Sequence, residues 1–209
     1  ISQEFPVPPS SLCIVRLSAI GDVTHVVPVI RTLQRYWPET SLTWVVGKVE
    51  AGLVGDIPGV EVIPFEKGGG LAALRDLRRR LGDRRFDVLL QMQTALRANV
   101  AGLGVRADRR LGYDPGRSRN GHGLFINRRI APNPRQHVLD GFFDFLRALG
   151  LEERELRWDI PLPQEAREFA TAQLPGDGPV LAINPCSSVR PRNWRNWQPE
   201  SYAAVADYA

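Results

Sequence analysis

Apolar runs and helical stripes alternate along most of this chain. Leu12–Leu17 is a continuous apolar run broken only by Arg16, and it predicts a first buried strand. Val23, Val26, Val27, Ile30, Leu33 and Trp37 then recur at helical spacing on one face. Pro28 is tolerated only in a first turn, so the N-cap falls near Thr24 or His25, and Gly21-Asp22 is expected in the preceding loop. Further strands are predicted over Ser41–Val46, Val60–Phe65 and Phe86–Gln91, with a short one at Arg110–Tyr113. Helices are predicted where Leu71, Leu74, Leu77 and Leu81 form a stripe, over Thr94–Leu103, and over His137–Leu149.

Strands that alternate with helices predict an α/β fold with a parallel sheet covered on both faces. That unit is expected to run over residues 1–164. Proline- and glycine-rich connectors flank a short helix at Glu165–Gln173. The same grammar then restarts, with a strand at Val180–Asn184, a polar loop and a helix opened by Pro199. One strand and one helix cannot make a domain, so residues 165–209 are read as the start of a second one.

Composition narrows the function classes. The chain has 209 residues and a net charge of +4, and Lys48 and Lys67 are the only lysines among 27 basic residues. Arginine grips carboxylates and phosphates bidentately, so an anionic partner is one reading and base-composition bias is the other. The cluster Arg75, Arg78, Arg79 and Arg80 lacks interleaved aromatics, which argues for a solvated face rather than nucleic-acid binding. Two cysteines and three scattered histidines offer no metal-ligand spacing. No apolar run reaches the ~20 residues of a membrane span, and ISQEFPVPPSS has no signal-peptide core.

In open parallel sheets, ligands bind beyond the carboxyl ends of the strands. Asp22 falls there, beside Ser18 and Gly21. It reads either as a general base or as a carboxylate stabilising a helix start. Gln91, Gln93, Thr94 and Arg97 follow another strand end and are expected to face the same crevice, as sugar-binding or as capping groups. Ser187, Ser188 and Arg192 follow the Val180–Asn184 strand, where hydroxyls, backbone N–H groups and arginine suit a diphosphate. Gly-x-Gly-x-x-Gly and Walker patterns are absent.

Five segments together carry a family resemblance: RLSAIGDVTHVVPVIRTLQRYWPE, FDVLLQMQTALRANVAG, RRLGYD, RQHVLDGFFDFLRALG and INPCSSVRPRNWRNW. The chain resembles the ADP-heptose:lipopolysaccharide heptosyltransferases of glycosyltransferase family 9, nearer the heptosyltransferase I branch, and spans about the first 60% of a typical member. The resemblance implies a GT-B fold: a Rossmann-like amino-terminal domain that binds the acceptor, Kdo-lipid A, and a carboxyl-terminal domain that binds ADP-heptose. It implies inverting transfer without metal or other cofactor, with Asp22 as base. Ser187, Ser188 and Arg192 would hold the donor diphosphate, and Ser18, Gly21, Gln93 and Arg97 the acceptor. Arg192 stands where members commonly carry lysine. A cytoplasmic enzyme at the inner face of a Gram-negative inner membrane is implied, with peripheral membrane contact, self-association through the incomplete second domain, and no nucleic-acid partner. With later donor elements missing, the chain alone is expected to transfer poorly. The alternative is a non-catalytic glycan- or lipopolysaccharide-binding fragment.

Overall fold

The computed structural model describes residues 8–133, 135–174, 176, 178–185 and 196–209. The chain divides into two compact units, Ile1–Pro161 and Leu162–Ala209. In the first, the elements run β1 (Ser11–Val15), α1 (Ile20–Thr24), α2 (Val26–Tyr36), β2 (Ser41–Gly47), α3 (Lys48–Val54), β3 (Val60–Phe65), α4 (Gly70–Leu81), β4 (Arg85–Gln91), α5 (Leu96–Gly104), β5 (Arg106–Gly112), β6 (Arg128–Arg129) and α6 (Val138–Arg147). The strands form one parallel sheet in the order β3-β2-β1-β4-β5-β6. This is the expected Rossmann-like arrangement.

Why the central strands read as unbroken apolar runs is plain from burial on both faces. Alternate residues of β1 feed opposite cores. Leu12 and Ile14 join Trp44, Val88 and Leu90 beneath α2 and α6, while Cys13 and Val15 join Val45, Leu89 and the α4 and α5 side. Pro64 lies on the edge strand β3, where its missing N–H costs the ladder least.

Three expectations need correction. Gly21-Asp22 is not in a loop: it lies within α1, because Ala19 opens a helical turn there, with Val23 N–H donating to Ala19 O at 2.9 Å and Asp22 accepting from Ala19 N–H. Leu71 is 70% exposed, and the buried stripe of α4 is Ala73, Leu74, Leu77 and Leu81, since Leu71 sits in the first turn at the sheet edge. Val180–Asn184 forms no strand among the described residues. A strand pairs its N–H and C=O groups only against a neighbour, and no described strand pairs with this segment.

In the second unit, α7 (Gln164–Gln173) and α8 (Pro199–Tyr208) bury no residues. Trp197 stacks at a tilt on Tyr202, whose hydroxyl donates to Pro185 O at 3.1 Å.

Candidate functional site

The carboxyl ends of β1 and β4 are adjacent in the sheet, and side chains lace the segments that leave them. Gln93 does most of the joining. Its Oε1 accepts from Leu17 N–H at 2.8 Å, and its Nε2 donates to Ser18 Oγ at 3.2 Å. Two of the predicted residues, Ser18 and Gln93, are thus brought together and hold the chain that leads into α1.

Asp22 projects at this edge with a side chain 33% exposed. Its Oδ2 accepts from the Arg16 guanidinium and, at 3.3 Å, from Ala19 N–H. No hydrogen bond reaches its Oδ1 among the described residues. One oxygen is fixed and the other stays available. Arg16 was not among the sequence-based candidates. It donates through a second nitrogen to Met92 O at 2.6 Å, and its guanidinium lies 5.1 Å from the Phe142 ring centre. The only signal for it in the sequence is a charge inside an otherwise apolar run, LCIVRL.

The other candidates fall out differently. Gly21 is exposed, and a Cβ there would meet nothing within 4 Å. Arg97 is exposed at the second position of α5 and has no side-chain partner among the described residues. Gln91, expected to face the crevice, is instead fully buried, and its Nε2 donates to Ala98 O at 2.8 Å beneath α5. Even-odd alternation explains this: Gln91 turns into the sheet face that α5 covers. Ser187, Ser188 and Arg192 lie outside the described residues.

A second polar layer braces the edge. Tyr113 follows β5, its ring edge-on to Phe145 at 5.0 Å, and burial pushes its hydroxyl up to about 12. Arg117 lies over the Tyr113 ring and pairs with Asp114 and Asp144. Burial raises the Asp114 carboxyl, but Arg117 and the Gly116 and Arg117 N–H groups outweigh it and hold it below the ordinary carboxylate range. His25, one of the two expected N-cap positions, joins α1 to α2. Its ring meets that of His137 edge-on at 5.3 Å, and its buried Nδ1 has no partner among the described residues.

Among the described residues no group of three or more His, Cys, Asp or Glu is placed to hold a metal, and no helix is long and apolar enough to cross a membrane. Two open hollows, of about 590 and 490 Å³, lie at the opposite, amino-terminal edge of the sheet, against Arg78, Gly104 and Arg106 and against Ser41, Gly59 and Arg84. The carboxylates that line them, Asp83 and Glu61, pair with Arg106 and Arg84 where strands begin, whereas Asp22 stands at the carboxyl ends of the strands, where open parallel sheets bind ligands.

A Rossmann-like sheet with a half-exposed carboxylate and a laced polar edge beyond β1 and β4 defines an α/β domain built to present a ligand site at its strand ends. Known proteins make that class specific. The family model described as glycosyltransferase family 9 (heptosyltransferase) matches residues 74–209, and the chain belongs to that family. It is 42% identical over 201 residues to the lipopolysaccharide core heptosyltransferase OpsX of Haemophilus influenzae, covering 96% of this chain and 57% of that protein. The chain therefore spans little more than half the length of this relative. Its fold is similar to the crystal structure of a family 9 glycosyltransferase from Veillonella parvula, with a TM-score of 0.74, 20% identity, and coverage of 100% of this chain and 60% of that one. Escherichia coli heptosyltransferase WaaC with ADP-2-deoxy-2-fluoro heptose also matches, with a TM-score of 0.62, 23% identity, and coverage of 71% and 51%.

Proposed function

We propose that this chain carries the acceptor-binding domain of an inverting heptosyltransferase that moves heptose from ADP-heptose to the Kdo-lipid A inner core. Residues 1–164 form that domain on this reading, and residues 165–209 begin the donor-binding one. The supporting observation is the asymmetric engagement of Asp22: Oδ2 is taken by Arg16 and Ala19 N–H, while Oδ1 is left for a substrate proton. An acceptor hydroxyl donates to Oδ1, its oxygen attacks the anomeric carbon of the donor from the face opposite the diphosphate, and the bond to the phosphate oxygen breaks. ADP leaves with the electron pair, and the proton ends on Asp22. Ser18, Gln93 and Arg97 would position the acceptor, with Gly21 keeping the approach to α1 open. Ser187, Ser188 and Arg192 would steady the leaving diphosphate, an assignment that rests on sequence resemblance. The acceptor chemistry sets the enzyme at the cytoplasmic face of the inner membrane.

The test is transfer from ADP-heptose to heptose-deficient inner-core lipid by the full-length protein and its Asp22→Asn variant. A general base contributes about 10²–10⁴-fold, so kcat should fall by that factor while acceptor binding persists. An Asp22→Asn enzyme of undiminished kcat would remove Asp22 from the chemistry. Acceptor binding with no turnover in the unaltered protein would leave the non-catalytic glycan-binding reading standing.

A further inference from the structure

Hydrogen-bond direction beyond β1 is set by a backbone group that can only donate. Leu17 is 1% exposed, so its N–H needs an acceptor within the protein. Gln93 Oε1 supplies it at 2.8 Å. A side-chain amide has one accepting atom and one donating atom. Spending Oε1 on Leu17 therefore leaves Nε2 as the atom that faces Ser18, at 3.2 Å, and Ser18 Oγ must accept. The half-buried Ser18 keeps its own proton to give, and no acceptor takes it among the described residues. The next hydroxyl along the chain, that of Thr24, has already spent its proton on Gly21 O at 2.7 Å.

The neighbouring group has the opposite character. Asp22 Oδ1 has no hydrogen bond among the described residues and, in an ionised carboxylate, can only accept. The carboxylate is tied to the residue that follows Ser18, because Ala19 N–H donates to its other oxygen at 3.3 Å. The start of α1 thus presents one unspent donor and one unspent acceptor. Each is held in its role by a bond behind it, from Gln93 to Ser18 and from Arg16 to Asp22.

We propose that Gln93 is a positioning residue that keeps the Ser18 hydroxyl turned outward as a donor to the acceptor sugar, an inference that rests on the reading of Asp22 as base. Asp22 Oδ1 takes the hydrogen bond of the attacking hydroxyl, and Ser18 donates to a second oxygen of the same sugar. The two substrate oxygens are selected differently. The one at Asp22 must carry a proton. The one at Ser18 need only offer a lone pair, so a hydroxyl, a ring oxygen or a carboxylate satisfies it and an N–H does not. Gln93 acts through Ser18 and sets the direction of the bond.

Transfer kinetics of the full-length protein, with calorimetric binding of a deacylated inner-core acceptor, test this relay. Gln93→Glu keeps the length of the side chain and, when ionised, still accepts from Leu17 N–H. Its second oxygen now takes the Ser18 proton instead of giving one. Acceptor KM and Kd should rise about tenfold, and Ser18→Ala should raise them by a similar factor. In the Ser18→Ala background, Gln93→Glu should add less than about twofold, since no hydroxyl remains to be turned. A purely structural role for Gln93, or repulsion of the acceptor by the new charge, would compound the two losses, and that result would overturn the proposal. So would an active enzyme in which either single change leaves acceptor KM and Kd unaltered, an outcome that keeps the transferase reading intact. Acceptor binding that follows this pattern in a protein without turnover would uphold the relay and sink the transferase reading. An unaltered protein that neither binds the acceptor nor turns it over would end both.

Discussion

Lowering the pH should destabilise the fold through His122, and the effect can be sized from its surroundings. The side chain is 1% exposed. Its Nε2 accepts from Tyr113 N–H at 3.1 Å, and its Nδ1 lies 2.8 Å from Asn99 Oδ1. The Asn99 amide nitrogen donates to Thr94 O and Asn120 O, which leaves its oxygen to face the ring. So Nδ1 carries the proton and Nε2 must stay bare. A second ring proton would point at the Tyr113 N–H. Burial, with the nearby Arg129 charge, accordingly lowers the imidazole from 6.5 to about 4.

The sign follows from linkage. The unfolded chain takes up this proton near pH 6.5 and the folded one only near 4, so the stability tied to neutral His122 is complete above about pH 6.5 and drains away as pH falls toward 4. At about 1.4 kcal/mol per unit, the loss is roughly 2 kcal/mol by pH 5 and about 3 kcal/mol at its limit. That is a large share of the 5–15 kcal/mol of a typical domain. His122→Gln cannot titrate there but retains an oxygen near the Nε2 position. It should cost about 1–2 kcal/mol at pH 8 and show a shallower pH dependence, so that the gap between the two proteins closes by pH 5. Urea unfolding of both proteins from pH 8 to pH 5 reads the difference, and carboxylates common to both cancel. Parallel curves would refute the argument.

Two packing predictions use groups left tight or unpaired. Gly102→Ala would place a Cβ 2.3 Å from Gln91 Oε1, a buried amide already pinned to Ala98 O, and should cost about 1–3 kcal/mol; an unchanged urea midpoint would mean that Gln91 turns aside freely. Trp44 is fully buried with no partner for its indole N–H among the described residues, so Trp44→Phe should relieve about as much polar desolvation as it loses in packing and stay within about 1 kcal/mol; a loss above about 3 kcal/mol, by thermal unfolding, would show the N–H to be satisfied.

How far the fold was legible depended on where its stability lies. The strand at Val60–Phe65 and the helix faces around Ile30 and Phe142 announce themselves because solvent exclusion wrote them as apolar periodicity. The first half of β5 does not. Arg106, Asp108 and Arg109 read as loop, yet they pair beside Arg85 and Val88, with Arg85–Asp108 and Arg106–Asp83 ion pairs in place of apolar burial. α3 was missed for a related reason. Besides Val54, its buried residue is Glu50, held by Lys67, a partner 17 residues away that no local pattern announces. β6 has two residues and carries no signal at all.

The site shows the same division between local and distant information. Asp22 was legible because strand, turn and helix follow one another within a few residues, and the rule for strand ends then picks it out. What sets its chemistry was not. Arg16 is six residues away in sequence, but it is useful only because Met92 O and the Phe142 ring, from the end of β4 and the middle of α6, hold its guanidinium in place. A lone arginine at a strand end would swing into solvent and take the carboxylate with it in any of several poses. Anchored on two other elements, it can occupy Oδ2 alone and so decide which oxygen of Asp22 faces a substrate. The orientation of the candidate base is therefore a property of the assembled sheet and its covering helix, and no segment of the sequence contains it.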